Sequence, residues 1–219
     1  MRLEEVELNN LGISKKKYGR ICSFVDFGNV DYWYEKDERD WEGNLLRPDE
    51  KLVIDLCKLA NFAHLFSEKA RYYFGFDPAN SKSVAFMDKS REYFDNTITK
   101  PIQQIRHHLS DEEAKNNTRR VRSDGVGPYI YIPKCNFDVE ICVDAIRLLN
   151  EYDTFCLFSS DADFIRLIHY LKKKNKEIIL IKSGHIQHEL RDAVGPTGLV
   201  IGAQNIKAQI TLKKQKSRL

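Results

Sequence analysis

The chain has no CxxC pair. Its five cysteines, Cys22, Cys57, Cys135, Cys142 and Cys156, are scattered, and the six histidines do not join them at ligand spacing. That excludes a disulfide framework and a zinc ribbon or finger, and it leaves reduced thiols, most of them inside apolar runs. No apolar stretch approaches the roughly 20 residues of a membrane span, and the acidic start MRLEEVELNN lacks the signal-peptide pattern. The expectation is a cytoplasmic protein with no membrane partner. Neither GxxxxGKS/T nor GxGxxG occurs, so the glycine-rich phosphate loops are absent. No serine–histidine or cysteine–histidine arrangement stands out for nucleophilic catalysis. A dominant charge is missing too: Lys and Arg total 35 against 32 Asp and Glu, so any surface for an anionic partner must come from local clusters.

What is present is the composition of a globular protein, 42% hydrophobic and 31% charged, long enough at 219 residues to bury one sizeable core. Short apolar runs at 21–25, 70–76, 155–158, 177–181 and 198–201 read as buried strands, and alternation at 97–106 suggests one more at an exposed edge. Helical spacing predicts helices from Pro48 through Ala60, at 84–94, at 138–150, around Phe164 to Leu171 and at 185–193. Strands alternating with helices predict an α/β fold, a mostly parallel sheet of about five to six strands with helices on both faces. One domain is expected over 20–202, with a polar leader at 1–19, a basic tail at 203–219 and an inserted loop at 107–133 that is long for an ordinary connection. The aromatic, charged stretch 31–47 reads as an excursion above the sheet edge, where Tyr32, Trp33, Tyr34 and Trp41 either stack on a ligand or pack the loop down.

The informative residues are acids that follow or open apolar runs. Asp26 ends ICSFVD, with Gly28 and Asn29 in the turn beyond it; Asp138 opens the helix DVEICVDA; Asp161 and Asp163 follow the run FCLFSS. In a parallel sheet such positions lie at the carboxyl edge, where ligands bind. Several carboxylates drawn to one edge repel unless a cation or protons compensate. Each acid also has a plain structural reading, as a helix cap or a turn residue. At about 100° per residue Asp138 falls in the stripe of Ile141, Cys142, Ala145, Leu148 and Leu149, whereas Asp144 lies about 120° away from it, so one ion cannot take both. Asp144 is therefore read as flanking, and Asp161 ranks ahead of Asp163. Oxygen donors without histidine or cysteine favour Mg²⁺ or Mn²⁺ over zinc. A dehalogenase-type phosphatase would want an acid where Gly28 stands, and a receiver-type phosphoacceptor would want an early acidic pair that is missing.

The segments FVDFGN (24–29), KCNFDVEICVDA (134–145) and SSDADF (159–164) together resemble the three signature segments of the NYN domain family, the LabA-like branch of PIN-like ribonucleases. The resemblance runs in order through roughly 20–202. It implies a Rossmann-like, PIN-like fold and a metal-dependent ribonuclease site of clustered aspartates. On that pattern Asp26, Asp138, Asp161 and Asp163 would be catalytic and hold Mg²⁺ or Mn²⁺. Asn29 would order the first loop, Asp144 would match a further acid, and Ser160, a supporting candidate, stands where the family usually has glycine. RNA, single-stranded by preference, is the implied partner, with Lys134, Arg119, Arg120 and Arg122 as candidate contacts. A homodimer or a protein partner remains open. The function expected is a metal-dependent endoribonuclease; the alternatives are a non-catalytic module binding RNA or protein on the same fold and, less favoured, a phosphatase or nucleotide hydrolase.

Overall fold

The computed structural model describes residues 3–116 and 120–216. In chain order the strands are β1 (Ile21–Asp26), β2 (Glu50–Ile54), β3 (Lys69–Phe76), β4 (Asn96–Pro101), β5 (Gln103–His108), β6 (Arg122–Asp124), β7 (Gly127–Lys134), β8 (Thr154–Phe158), β9 (Glu177–Lys182), β10 (Leu199–Gly202) and β11 (Thr211–Gln215). Six of them form one sheet in the order β10-β9-β8-β1-β3-β4, with all neighbours parallel. Alternate side chains of an extended chain point to opposite faces, so each apolar run feeds two cores. Val25, Tyr72, Phe158 and Ile181 pack on one face, with the helix Leu56–Phe66. Phe24, Tyr73, Leu157 and Leu180 pack on the other, against the helices Asp138–Arg147, Ile165–Lys173 and His188–Val194. The expected α/β sheet with helices on both faces is the observed one.

Strands β1 and β8 are neighbours, with Val25 opposite Phe158. From β1 the chain proceeds to β3 and β4 on one side; from β8 it proceeds to β9 and β10 on the other. This is the switch point of the sheet, where diverging connections leave a crevice at the carboxyl ends. Asp26 stands at that end of β1, and Ser159 to Asp161 directly follow β8.

Five local expectations need correction. The helix expected from Pro48 starts only at Leu56, where Asp55 Oδ1 accepts from the Lys58 amide at 2.8 Å. Before it, Glu50–Ile54 is a strand, antiparallel to β11, so part of the segment expected as a basic tail completes a two-stranded sheet. Leu52, Ile54 and Leu56 alternate, and a partner strand so far along the chain decides between periods that a local pattern leaves close. The single strand expected at 97–106 is two: β4 closes the edge of the main sheet at Pro101, whose ring nitrogen donates nothing to a ladder, and β5 departs from it. The loop expected at 107–133 is largely folded, with β5, β7 and β6 forming an antiparallel sheet and a short helix Asp111–Asn116 before the undescribed 117–119. In the expected polar leader, Leu8, Ile13 and Tyr18 are buried in the first core. Among the described residues no helix is long and apolar enough to cross a membrane.

Gly198 marks a tight spot before β10. A Cβ there would meet Val194 Cγ1 at 2.5 Å and the Val194 and Ile178 carbonyl oxygens at 2.9 and 3.0 Å. Two of those three atoms belong to backbone and cannot swing away. Gly198→Ala is expected to lower stability by about 1–3 kcal/mol; a urea unfolding midpoint equal to the parent's would contradict this packing.

Candidate metal centre

The four acids reach the crevice on three elements, Asp161 and Asp163 sharing the turn after β8. Asp26 is carried to the edge by the buried strand β1 and is followed by the turn of helix Phe27–Val30. Asp138 is the first residue of the helix Asp138–Arg147, whose buried positions Ile141, Asp144 and Ala145 seat it against the sheet. It is not the cap of that helix. Asn136 brackets it instead: the Asn136 side-chain amide donates to Asp138 Oδ2 at 2.6 Å, and Asn136 Oδ1 accepts from the Asp138 amide at 2.7 Å. Asp161 caps the short turn Ala162–Phe164, its Oδ1 accepting from the Asp163 amide at 2.9 Å. A cap accounts for one Asp161 oxygen; Oδ2 accepts no hydrogen bond among the described residues.

Asp138, Asp161 and Asp163 each offer an oxygen within 4.8 Å of the others. Asp26 is outside that closest group. A strand end fixes Asp26 at the floor of the crevice, while the turn after β8 presents Asp161 and Asp163 together. Asp26 still feels the cluster. Burial, then the charges of Asp138 and Asp161, push its carboxyl up to about 6, against the opposing hydrogen bond from Ser159. Burial also raises Asp138, with Asp161, Asp163 and Glu140 adding to it. Among the described residues none of these four carboxylates forms a salt bridge. Their partners are neutral: a serine hydroxyl, an asparagine amide and a backbone amide. Clustered oxygen donors with no salt-bridge partner among the described residues fit a hard divalent ion.

Ser159, fully buried, links two of the elements: its Oγ donates to Asp26 Oδ2 at 3.0 Å and accepts from the Asp161 amide at 3.2 Å. The supporting residue expected from the sequence is its neighbour Ser160. Ser160 does tie loops together, through the Ser183 carbonyl and amide at 3.0 Å and through its own amide to Asn29 Oδ1 at 3.1 Å. Asn29 Oδ1 also accepts from Trp33 Nε1 at 2.9 Å, so Asn29 orders the first loop. Lys100 was missed altogether. At the carboxyl end of β4 it pairs with Glu140 at 2.6 Å and lies 4.6 Å from the centre of the Phe137 ring, next to Asp138. Its strand-end position was a usable signal, hidden because 97–106 read as one strand.

Asp144 is elsewhere. It is buried on the inner side of its helix, where Oδ2 accepts from Arg71 Nη2 at 2.7 Å and from the Tyr73 hydroxyl at 2.9 Å, and Oδ1 from Arg147 at 2.8 Å. Of the candidate basic contacts, Lys134, Arg120 and Arg122 are exposed, and Arg119 lies outside the described residues. Arg20 pairs with Asp153 at 3.0 Å, and Lys213 of the expected tail with Asp40 at 2.6 Å. Arg218 lies outside the described residues. Trp33 and Tyr34 are buried, the latter donating to the Ala203 carbonyl at 2.6 Å, so only Tyr32 and Trp41 of the four loop aromatics are exposed.

The raised Asp26 carboxyl gives a prediction for the metal-free protein. Its folded value lies above the ordinary one near 4, so ionisation costs stability that is lost as pH rises from about 4 through about 6. In EDTA at neutral pH, Asp26→Asn should be more stable than the parent by about 2 kcal/mol, and the gain should vanish below about pH 4. A gain that persists in acid would show that burial of this charge is not its source.

The family model described as NYN domain matches residues 20–196. The low amplitude and bright protein LabA of Synechococcus elongatus is 39% identical over 64 residues, 29% of this chain and 34% of that protein. The match thus spans about a third of the relative. A crystal structure of a protein of unknown function from Vibrio parahaemolyticus aligns with a TM-score of 0.58 at 19% identity, covering 91% of this chain and all of that one. That likeness shows the fold alone.

Proposed function

Because the chain belongs to the NYN domain family, we propose that it is a metal-dependent endoribonuclease acting on single-stranded RNA at the aspartate crevice. NYN domains are nuclease-like and related to RNA, and PIN-like domains use divalent metals. The observation that carries the proposal is the group of Asp138, Asp161 and Asp163, three carboxylates on two elements that share a 4.8 Å neighbourhood at the switch point with no cation paired to them.

Asp138, Asp161 and Asp163 would hold Mg²⁺ or Mn²⁺, the ions that oxygen-only donors favour. Such an ion, when bound, neutralises charge on the phosphodiester and acidifies water for in-line attack. The chain's own contribution is order. Asn136 fixes Asp138, the Asp163 amide fixes Asp161, and Ser159 holds one oxygen of Asp26 beside them. The buried sheet beneath keeps these groups from rearranging when charge develops above them. The five cysteines are free, as a reducing compartment allows, and the cytoplasm is the setting we infer.

The test is cleavage of an end-labelled single-stranded RNA by purified protein. Expected is internal cutting with Mn²⁺ that EDTA abolishes and added Mn²⁺ restores. Protein that binds RNA equally with and without EDTA and never cuts it would sink the proposal and leave a non-catalytic binding module.

A further inference from the structure

The sheet of β5, β7 and β6 has a face that the carboxylate site does not use. Residues paired across an antiparallel ladder project to the same side. Arg106 pairs with Tyr131, and Tyr129 with both His108 and Arg122, so these five side chains share one face. Their contacts agree with that placement. The Arg106 guanidinium lies 3.8 Å from the centre of the Tyr129 ring, and that of Arg122 lies 5.2 Å from the centre of Tyr131. The two tyrosines meet edge to face at 5.7 Å, and His108 lies 6.2 Å from Tyr129. Every residue of β5 and β6 is exposed, and Tyr131 is 38% exposed. The three strands carry Arg106, Arg122 and Lys134 against a single carboxylate, Asp124, which pairs with Arg106.

This face leads to the aspartates. Strand β7 ends at Lys134, two residues before the Asn136 that brackets Asp138. Pro133, on the same side of β7 as Tyr131, lines a cleft of about 390 Å³ with Lys134, Ile102, Tyr32 and Gly28. Gly28 belongs to the turn just after Asp26, so the cleft lies between the end of the strand that carries the tyrosines and the turn that follows Asp26. Tyr32 stands 65% exposed in its wall.

We propose that the Tyr129–Tyr131 face, with Arg106 and Arg122, binds the unpaired stretch of the RNA and delivers it through this cleft to the carboxylates; this rests on the ribonuclease reading above. Aromatic rings and guanidinium planes accept any base by stacking, and cations beside them meet the phosphates. A duplex hides the faces of its bases, which favours a single strand. The two tyrosines are one side-chain repeat apart, about 7 Å along the strand, a step that suits successive bases of an extended chain.

Binding and cutting are measured separately. In EDTA, fluorescence anisotropy of a labelled oligouridylate should show Tyr131→Leu and Arg122→Ala weakened about tenfold each, and Tyr131→Phe close to the parent. With Mn²⁺, Tyr131→Leu should raise KM while leaving the rate at saturating RNA within about twofold. If Tyr131→Leu and Arg122→Ala bind and cut like the parent, the face is not the RNA track, although the ribonuclease reading stands. If they instead turn a dimer into a monomer in sedimentation with RNA binding unchanged, the face joins two copies and the proposal falls. If the parent itself neither binds nor cuts RNA, the underlying reading fails and this one with it.

Discussion

Asp161→Asn should reduce Mn²⁺-dependent RNA cleavage by at least about a hundredfold, and Asp138→Asn should do the same. Each removes one donor from the three-carboxylate group, and the charge stabilisation that a bound ion supplies is worth several kcal/mol. Neither change should unfold the protein, because each deletes a charge that has no salt-bridge partner among the described residues. The folded metal-free variants should be as stable as the parent or more so. Stability and activity therefore move in opposite directions, which separates loss of the site from loss of the fold. Cleavage at the parental rate by folded Asp161→Asn would remove the carboxylate cluster from the mechanism. Asp163→Asn carries a further distinction. If the closest group is the ion's seat, it should hurt activity as much as Asp161→Asn does.

The second large effect is on stability. Asp144→Ala should cost about 3–5 kcal/mol, measured by urea unfolding, because it strands the Arg71 guanidinium in the interior. The Arg71 side chain is only 7% exposed and that of Asp144 11%, at a 2.7 Å contact. Arg71 also meets the Asn96 side chain at 2.9 Å and the Tyr73 hydroxyl at 3.2 Å, so the network joins β3, β4 and the helix that carries Asp138. Replacing both partners together, as Arg71→Met with Asp144→Leu, should recover much of the loss. If Asp144→Ala is instead as stable as the parent but inactive, Asp144 acts at the chemistry and its pairing with Arg71 is incidental. The two acids of one helix thus face separate tests, cleavage for Asp138 and unfolding for Asp144.

The helix Asp138–Arg147 shows how far a sequence pattern reaches. Its phase sets Asp138 and Asp144 about 120° apart, because the angle between two residues of one helix is a local property; which of them is buried is not, and it is Asp144 that lies with Ile141 and Ala145. What Asp144 does could not be read that way, since Arg71 and Tyr73 lie on a strand some seventy residues earlier. The same limit hid Ser159. Its hydroxyl bridges β1 to the turn after β8, a contact created by the parallel pairing of Val25 with Phe158. Asp26 and Asp161 were both legible as strand-end acids, yet their order of closeness to an ion depended on side chains meeting across the crevice.

The sequence by itself determined the α/β class, the run of buried strands and the carboxyl-edge acids, because apolar periodicity and strand-end position are written within a few residues of one another. Tertiary structure alone decided that Glu50–Ile54 is a strand, since the partner that makes it one is Thr211–Gln215. It alone folded 122–134 into a sheet with β5, and it alone set Arg106 and Arg122 beside tyrosines on one face. It also divided the aspartates, gathering Asp138, Asp161 and Asp163, holding Asp26 beside them and giving Asp144 to Arg71. The physical reason is common to all of these. Local pattern fixes which way a residue points on its own element, but charge compensation, pairing and packing are properties of what the fold brings opposite it.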